Sequence, residues 1–585
     1  MTRSIFFMPK QTLNWIGFWL TLVMLAWVPV LTNWLKDRYQ VTGQDLIIPL
    51  LYSALTASIV ALILRRRYQV DRLATTLAGV LSLLIISNSY EERLRGIYAA
   101  LAAVNPIPNL LAFESPLISL VYASILLYVA LGVGLWVSHL SIRRGWKIAD
   151  LTNGLSVLVS VVFLLQLFPT VKTLISEWPQ FSYRPVELSE HATGNVIAKP
   201  DIYYIVLDRY ANQKVLSEQY GFDNSAFIEY LRSEGFSVDP NAHQNYPYTA
   251  MSIASTLNAN DQTDLVQKFA SASKQTIQPY YDAVRYAAVP KKLKSLGYTY
   301  TVLGNWYETS NQAPLANTLY QEEGKLVILN HTFILNNFAK DELVDSAYWR
   351  FVQLGWKIGR FEVLGYSGQV GQDTIAYQIN TLHDLAAKPP GNRFIYAHIL
   401  APHEPYYYNA DGSLNANSDT NNVGEPLQQK YLNQLQFING QIKSVISEIN
   451  QTSKGQSVII LQSDEGPYPT DLNGVSSIPS ESELAKGSML DWSTSDLQLK
   501  YDNLAAYHIP LASPEQIAQG GDNENVFRVV FNSYFGGTLP LLPRCYYGYV
   551  NGRSNPFKYT DITERLTGTA NLNCPKNSDF QLVQK

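Results

Sequence analysis

The chain has 585 residues, a formal net charge of -4 and only 16% charged residues. That length calls for more than one domain, and so mild a charge excludes a protein built to hold a nucleic-acid polyanion. The averages hide a division, because the chain before about residue 176 is mostly long uncharged apolar runs and the rest has the composition of an ordinary soluble protein.

Five runs approach the roughly 20 apolar residues that a bilayer demands. They are Trp15–Leu35, Leu46–Leu64, Leu73–Ile86, Leu117–Leu140 and Leu151–Val171. The first is too long and too weakly flanked for a cleavable leader. Leu94–Leu111 carries Arg95 and a Pro-Ile-Pro break, and reads as an interfacial helix and loop. Basic residues alternate by loop. Arg3, Lys10, Arg65, Arg66, Arg67, Arg72, Arg143, Arg144 and Lys147 fall on one side, against Lys36, Arg38, Arg93 and Arg95 on the other. The positive-inside rule then makes the N-terminus cytoplasmic, and an odd number of spans puts the C-terminal half outside. Both cysteines, Cys545 and Cys574, lie in that half. An oxidising compartment allows one disulfide there, with two free thiols as the alternative. The expected organisation is an N-terminal all-α transmembrane bundle of five helices over 1–176, a linker over 177–198 and an extracytoplasmic domain over 199–585.

Beyond the linker, strand-like and helix-like segments alternate. "DIYYIVLD" precedes the helical "NSAFIEYLRSEGF", and "AVRYAAVPKKLKSLG" precedes "YTYTVLG". "DTIAYQINTLHDLAA" precedes "RFIYAHIL", and "YLNQLQFINGQIKSVISEI" precedes "SVIILQSD". The strands are continuous apolar runs, as buried parallel strands should be, so the pattern predicts an α/β domain with a mainly parallel sheet between helices. Two stretches rich in Asn, Ser and Gly, 409–425 and 467–488, read as loops. In such sheets ligands gather outside the carboxyl ends of the strands. Asp208 ends the first strand, His403 follows "FIYAHIL", and Asp464 and Glu465 end "SVIILQ". His398 and His508 lie within apolar runs and are expected in the core.

Two adjacent carboxylates raise each other's pKa unless a cation or donors hold them, so Asp464 and Glu465 invite a partner. Thr249, Ser252 and Ser255, spaced three apart in "NYPYTAMSIASTLN", lead into a helical segment. Hydroxyls there either join backbone N–H groups around a phosphate or sulfate, or simply cap the helix. His403 stands between two prolines in "APHEPY", which fixes the direction of an imidazole suited to substrate binding or proton donation.

An aspartate at a first strand end, a hydroxyl motif, a Pro-His-x-Pro loop and Ser-Asp-x-Gly at a late strand end together resemble the alkaline phosphatase/sulfatase superfamily, in its sulfatase-like branch. The sulfatase nucleophile motif, Cys/Ser-x-Pro-Ser-Arg-x-Ser, falls on Thr249 to Ser255 here. The preceding spans are similar in layout to lipoteichoic acid synthases and lipid A phosphoethanolamine transferases. The resemblance implies that Asp208, Thr249, Asp464 and Glu465 bind a divalent metal and that Thr249 is the catalytic nucleophile. It also implies that His403 contacts the anionic or the leaving group of the substrate, and that Ser252 and Arg209 contact the substrate. The departures from the family pattern are specific. Thr249 cannot be converted to formylglycine, and Ile253 stands where a sulfatase carries arginine. Asp464-Glu465-Gly466 replaces Asp-His-Gly, which suits Mn²⁺ or Mg²⁺ better than Zn²⁺. Arg209 also offers Asp208 an internal counter-charge. The expected function is a membrane-anchored, metal-dependent phosphoester transferase or hydrolase acting on a lipid-linked or cell-envelope substrate, with no nucleic-acid partner. The alternatives are a sulfuric ester hydrolase and a catalytically degenerate sulfatase-like envelope protein.

Overall fold

The structure is a computed structural model that describes residues 10–37, 46–68, 148–177, 183–270, 277–305, 313–320, 325–328, 331–334, 356–358, 361–367, 372–416, 425–468, 488–550 and 555–575, with a few isolated positions besides. It divides into two compact units, Met1–Trp178 with Glu323–Gly368, and Pro179–Glu322 with Gln369–Lys585.

The first unit contains helices α1 (Lys10–Asp37), α2 (Ile47–Tyr68) and α3 (Ile148–Glu177). By length and composition α1 and α3 can each cross a membrane, through Asn14–Leu35 and Thr152–Lys172, whereas the apolar stretch of α2, Pro49–Arg65, is shorter. Several polar side chains in these helices find partners inside the protein, as an apolar surrounding favours. Trp19 Nε1 donates to Ser58 Oγ at 2.8 Å and Trp27 Nε1 to the Leu50 carbonyl at 2.9 Å, tying α1 to α2. Thr21 Oγ1 meets Ser156 Oγ of α3 at 3.1 Å. Thr32, Ser58, Ser160 and Thr170 each donate to the carbonyl four residues earlier. The expected spans Leu73–Ile86 and Leu117–Leu140 and the interfacial segment Leu94–Leu111 lie outside the described residues, apart from isolated positions. The unit also holds a four-stranded antiparallel sheet of Lys325–Ile328, His331–Ile334, Trp356–Ile358 and Phe361–Ser367, which the sequence reading did not anticipate.

The second unit is an α/β domain. Its sheet contains β1 (Ile202–Leu207), β2 (Ser237–Val238), β3 (Thr299–Leu303), β4 (Thr318–Tyr320), β5 (Arg393–Ile399), β6 (Val458–Gln462) and β7 (Ala505–His508). They lie in the order β2-β7-β6-β1-β5-β3-β4. From β6 to β4 every pairing is parallel, and β7 and β2 add an antiparallel edge. The continuous apolar runs are explained by the two faces of the sheet. Ile202, Tyr204 and Val206 of β1 enter a core that includes the helix Thr249–Asn258. Tyr203, Ile205 and Leu207 enter the opposite core, with the helices Gln372–Ala386 and Leu427–Ser453. Each aliphatic side chain so buried contributes about 1.5–3 kcal/mol. At the start of β1, Asp201 accepts from the N–H groups of Gly391 and Arg393 at 3.0 and 2.8 Å, and from the Arg393 guanidinium at 3.0 and 2.5 Å. This sets the register that places Val206 opposite both His398 and Gln462. Near the end of the chain, Cys545 and Cys574 form a disulfide beside a ribbon of Tyr547–Tyr549 and Tyr559–Asp561. Of the expected loops, 470–487 lies outside the described residues, and 409–416 turns back on itself through a Tyr408–Leu414 bridge.

Candidate active site

Parallel pairing brings the carboxyl ends of β5, β1 and β6 side by side, and with them His398, Asp208 and Asp464. All three are buried, and one ligand atom from each lies within 4.8 Å of the others. His398 Nε2 stands 3.2 Å from Asp208 Oδ2 and 3.8 Å from Asp464 Oδ2. Asp208 Oδ1, both carboxylate oxygens of Asp464 and His398 Nδ1 are buried without a hydrogen-bond partner. Burial would raise the pKa of Asp208, but His403, His398 and Arg209 outweigh it and bring the group down to about 2. Asp464 moves the other way, well above the usual carboxylate range, because of burial first and the charges of Asp208 and Glu465 second. The side chain of Thr249 is the neighbour that favours its ionised form. Two carboxylates pushed apart in this way, around orphaned lone pairs, form a chemically suitable nest for a divalent cation, and the donors fit one. His398, which the sequence reading assigned to the core, is the imidazole of that group.

Glu465 is not in it. Its carboxylate lies 3.3 Å (Oε1) from Arg209 Nε and 2.9 Å (Oε2) from Lys500 Nζ, all three side chains being buried. Arg209, in a left-handed backbone conformation, also places Nη1 2.6 Å from Glu404 Oε2. Metal ligation was expected of Glu465 and substrate contact of Arg209; here both side chains are engaged in these internal pairs. An arginine beside buried carboxylates lowers its own desolvation cost by pairing with them. Lys500 carried no signal in the sequence, being one charge in an unremarked helix, Thr494–Tyr501.

Thr249 is the first residue of the helix Thr249–Asn258 and is buried. Its neighbours in the motif are structural in their bonding. Ser252 Oγ donates to the Tyr246 carbonyl at 3.0 Å and Ser255 Oγ to that of Ser252 at 2.8 Å, so the hydroxyl expected on the substrate is spent on the backbone. His403 sits in a turn whose Ala401–Pro402 and Glu404–Pro405 bonds are both cis. Its N–H donates to the Asp208 carbonyl at 3.2 Å, and Gln434 Nε2 donates to the His403 carbonyl at 2.8 Å, fixing the loop over the strand end. With side chains 16% and 17% exposed, His403 and Glu404 are the part of this cluster open to solvent.

The sulfatase family model matches residues 200–516. No curated protein sequence matches the chain. Among solved structures, the C-terminal periplasmic domain of EcEptC from Escherichia coli in complex with Zn is similar at 11% identity, with 60% of this chain and 87% of that one covered and a TM-score of 0.36. BT1596, a 2-O GAG sulfatase, is similar at 10% identity over 59% and 72% of the two chains, with a TM-score of 0.34. The putative sulfatase yidJ from Bacteroides fragilis is similar at 11% identity over 63% and 83%, with a TM-score of 0.33.

Proposed function

Because the chain belongs to the sulfatase family, we propose that its α/β domain is a metal-dependent phosphoester transferase or hydrolase with Thr249 as nucleophile. The observation that carries this reading is the buried group of Asp208, His398 and Asp464, in which Asp208 Oδ1 and both Asp464 oxygens lack hydrogen-bond partners, with Thr249 beside Asp464. Asp208, His398 and Asp464 would hold a divalent cation. When bound, such an ion supplies a Lewis acid that lowers a hydroxyl's pKa and neutralises charge on a transferring phosphoryl group. Thr249 Oγ1 gives its proton to solvent and forms a bond to phosphorus while the bond from phosphorus to the leaving oxygen breaks. His403, at the solvent-facing side, delivers a proton to that oxygen. A second alcohol or water then resolves the phosphothreonine. A threonine cannot yield formylglycine, so phosphorus is preferred to sulfur as the reacting centre. The apolar helices α1 and α3 are long enough to attach the chain to a membrane, and the asymmetry of basic residues between loops is the support for placing this domain outside the cytoplasm, where a lipid-linked or envelope substrate would be met.

One observation favours a second reading, a degenerate domain without turnover. Glu465 is occupied by two cations rather than facing the pocket. The two readings separate in an assay of detergent-solubilised protein on a chromogenic phosphodiester with added Mn²⁺ or Zn²⁺. The enzyme reading expects metal-dependent release that Thr249→Ala abolishes and Thr249→Ser partly keeps. Equal rates for wild type and Thr249→Ala would remove Thr249 from the mechanism.

A further inference from the structure

Glu465 and its neighbours form a unit with its own internal logic. Lys500, fully buried, places Nζ 2.9 Å from Glu465 Oε2 and 3.3 Å from the Gly466 carbonyl, and 3.6 Å over the Tyr468 ring. The Arg209 guanidinium lies 4.8 Å over the same ring and joins Glu465 to Glu404. Two cations thus face two carboxylates across one aromatic ring, and the set is neutral in itself.

The backbone is fixed around it. The Gly466 N–H donates to the Lys500 carbonyl at 2.8 Å, and a Cβ at Gly466 would come within 2.3 Å of the Leu499 carbonyl oxygen. Only glycine lets this strand end lie so close to the helix that carries Lys500. Ser463 Oγ accepts from the Tyr210 N–H at 2.9 Å and donates to the Glu465 carbonyl at 2.7 Å, pinning the other side. To reach a cation, Glu465 would have to leave Lys500 as a bare buried charge, which is costly.

We propose that Arg209 and Lys500 form a lock that withholds Glu465 from the cation pocket, so that His398 completes the ligand set. Glu465 is then a positioning residue that organises the site loops and is not a ligand. The inference rests on the reading that Asp208, His398 and Asp464 take a cation. It extends that reading to affinity, because a lock on a potential fourth ligand leaves the ion held by three protein groups and exchangeable.

The test is calorimetric titration of the full chain in detergent, stripped with chelator, with Mn²⁺ and with Zn²⁺, alongside thermal melting. Glu465→Gln should bind within about threefold of wild type, whereas His398→Ala and Asp464→Asn should bind at least tenfold more weakly. Lys500→Met, which removes the nearer of the two cations holding Glu465, should tighten binding about tenfold, a change that a purely structural role would not produce. The double variant Lys500→Met/Glu465→Gln removes both charges together, so it serves if a single variant fails to fold, and it should bind within about threefold of wild type. Weakening of tenfold or more in Glu465→Gln or in the double variant, with Asp464→Asn also weakened, overturns the lock and leaves the cation site standing. A wild-type protein that takes up neither ion overturns the cation site itself, and the lock with it.

Discussion

Asp464 and Glu465 are consecutive and almost equally buried, at 1% and 2% exposure, yet the two regions to which they belong are opposites. Around Glu465 every charge has a counter-charge within 3.3 Å, from Arg209 or Lys500. Around Asp464 the oxygens are orphaned, and its neighbours in the pocket are the Asp208 carboxylate and the His398 imidazole, the latter at 3.8 Å. Burying an ionised group is costly unless it is paired, so a satisfied cluster is explained by folding alone. The unsatisfied one is not, and buried groups with perturbed pKa values at strand ends are where chemistry is found. The difference separates a paired buried cluster from an unpaired one, within one residue of chain.

The contrast can be broken or sharpened experimentally. The largest effect is expected at the reactive side: Thr249→Ala should cut turnover on a phosphodiester on the order of 10³-fold, measured at saturating metal. On the paired side, Lys500→Ala should cost about 3–5 kcal/mol, because it leaves half the Glu465 charge uncompensated. A melting temperature close to wild type would mean that the clamp carries little of the stability. The Cys545–Cys574 bridge closes a sequence separation of 29 residues and provides an independent scale in the same domain. Its removal as Cys545→Ser/Cys574→Ser should cost about 3–4 kcal/mol and abolish any effect of reductant on melting.

Asp282 is an intermediate case, a buried carboxylate that accepts from Gln278 Nε2 at 3.2 Å while its counter-charges stand farther off, 3.6 Å away on Arg285 and 3.9 Å away on Arg184. Burial outweighs those arginines and raises its pKa to about 6. The folded state therefore binds a proton more tightly than the unfolded one. The stability from this group is fully present below about pH 4 and is lost as pH rises through about 6. Relative to Asp282→Asn, wild type should lose about 3 kcal/mol between pH 4 and 7, read as a narrowing or reversal of their melting difference. The smallest effect is expected at Asp464→Asn in chelator, under about 1 kcal/mol in either direction, since no pairing is lost. A cost there as large as that of Lys500→Ala would erase the distinction between the two regions.

Much of the second unit was legible in the chain itself. Continuous apolar runs such as "IYYIVL" require both faces covered, so the parallel centre of the sheet followed from composition, and the carboxyl ends of β1 and β6 directed attention to Asp208 and Asp464. The edge was not legible. β2 has two residues and β7 four, and short antiparallel edge strands carry no periodic signal. His398 was missed for a related reason: within "FIYAHIL" an imidazole reads as one more core residue, and only the register against Val206 sets it beside Asp208. Lys500 lies 35 positions beyond Glu465 (500 minus 465), and nothing local announces that its ammonium will point back at the strand end.

Residue type alone divides the chain into an apolar half and an α/β half and marks the parallel strands and the acids that end them, because burial on two faces leaves a local imprint. Which of two adjacent carboxylates is paired and which stands open was decided only by tertiary structure. Pairing of buried charges depends on distances between residues remote in the chain, and no local pattern encodes those.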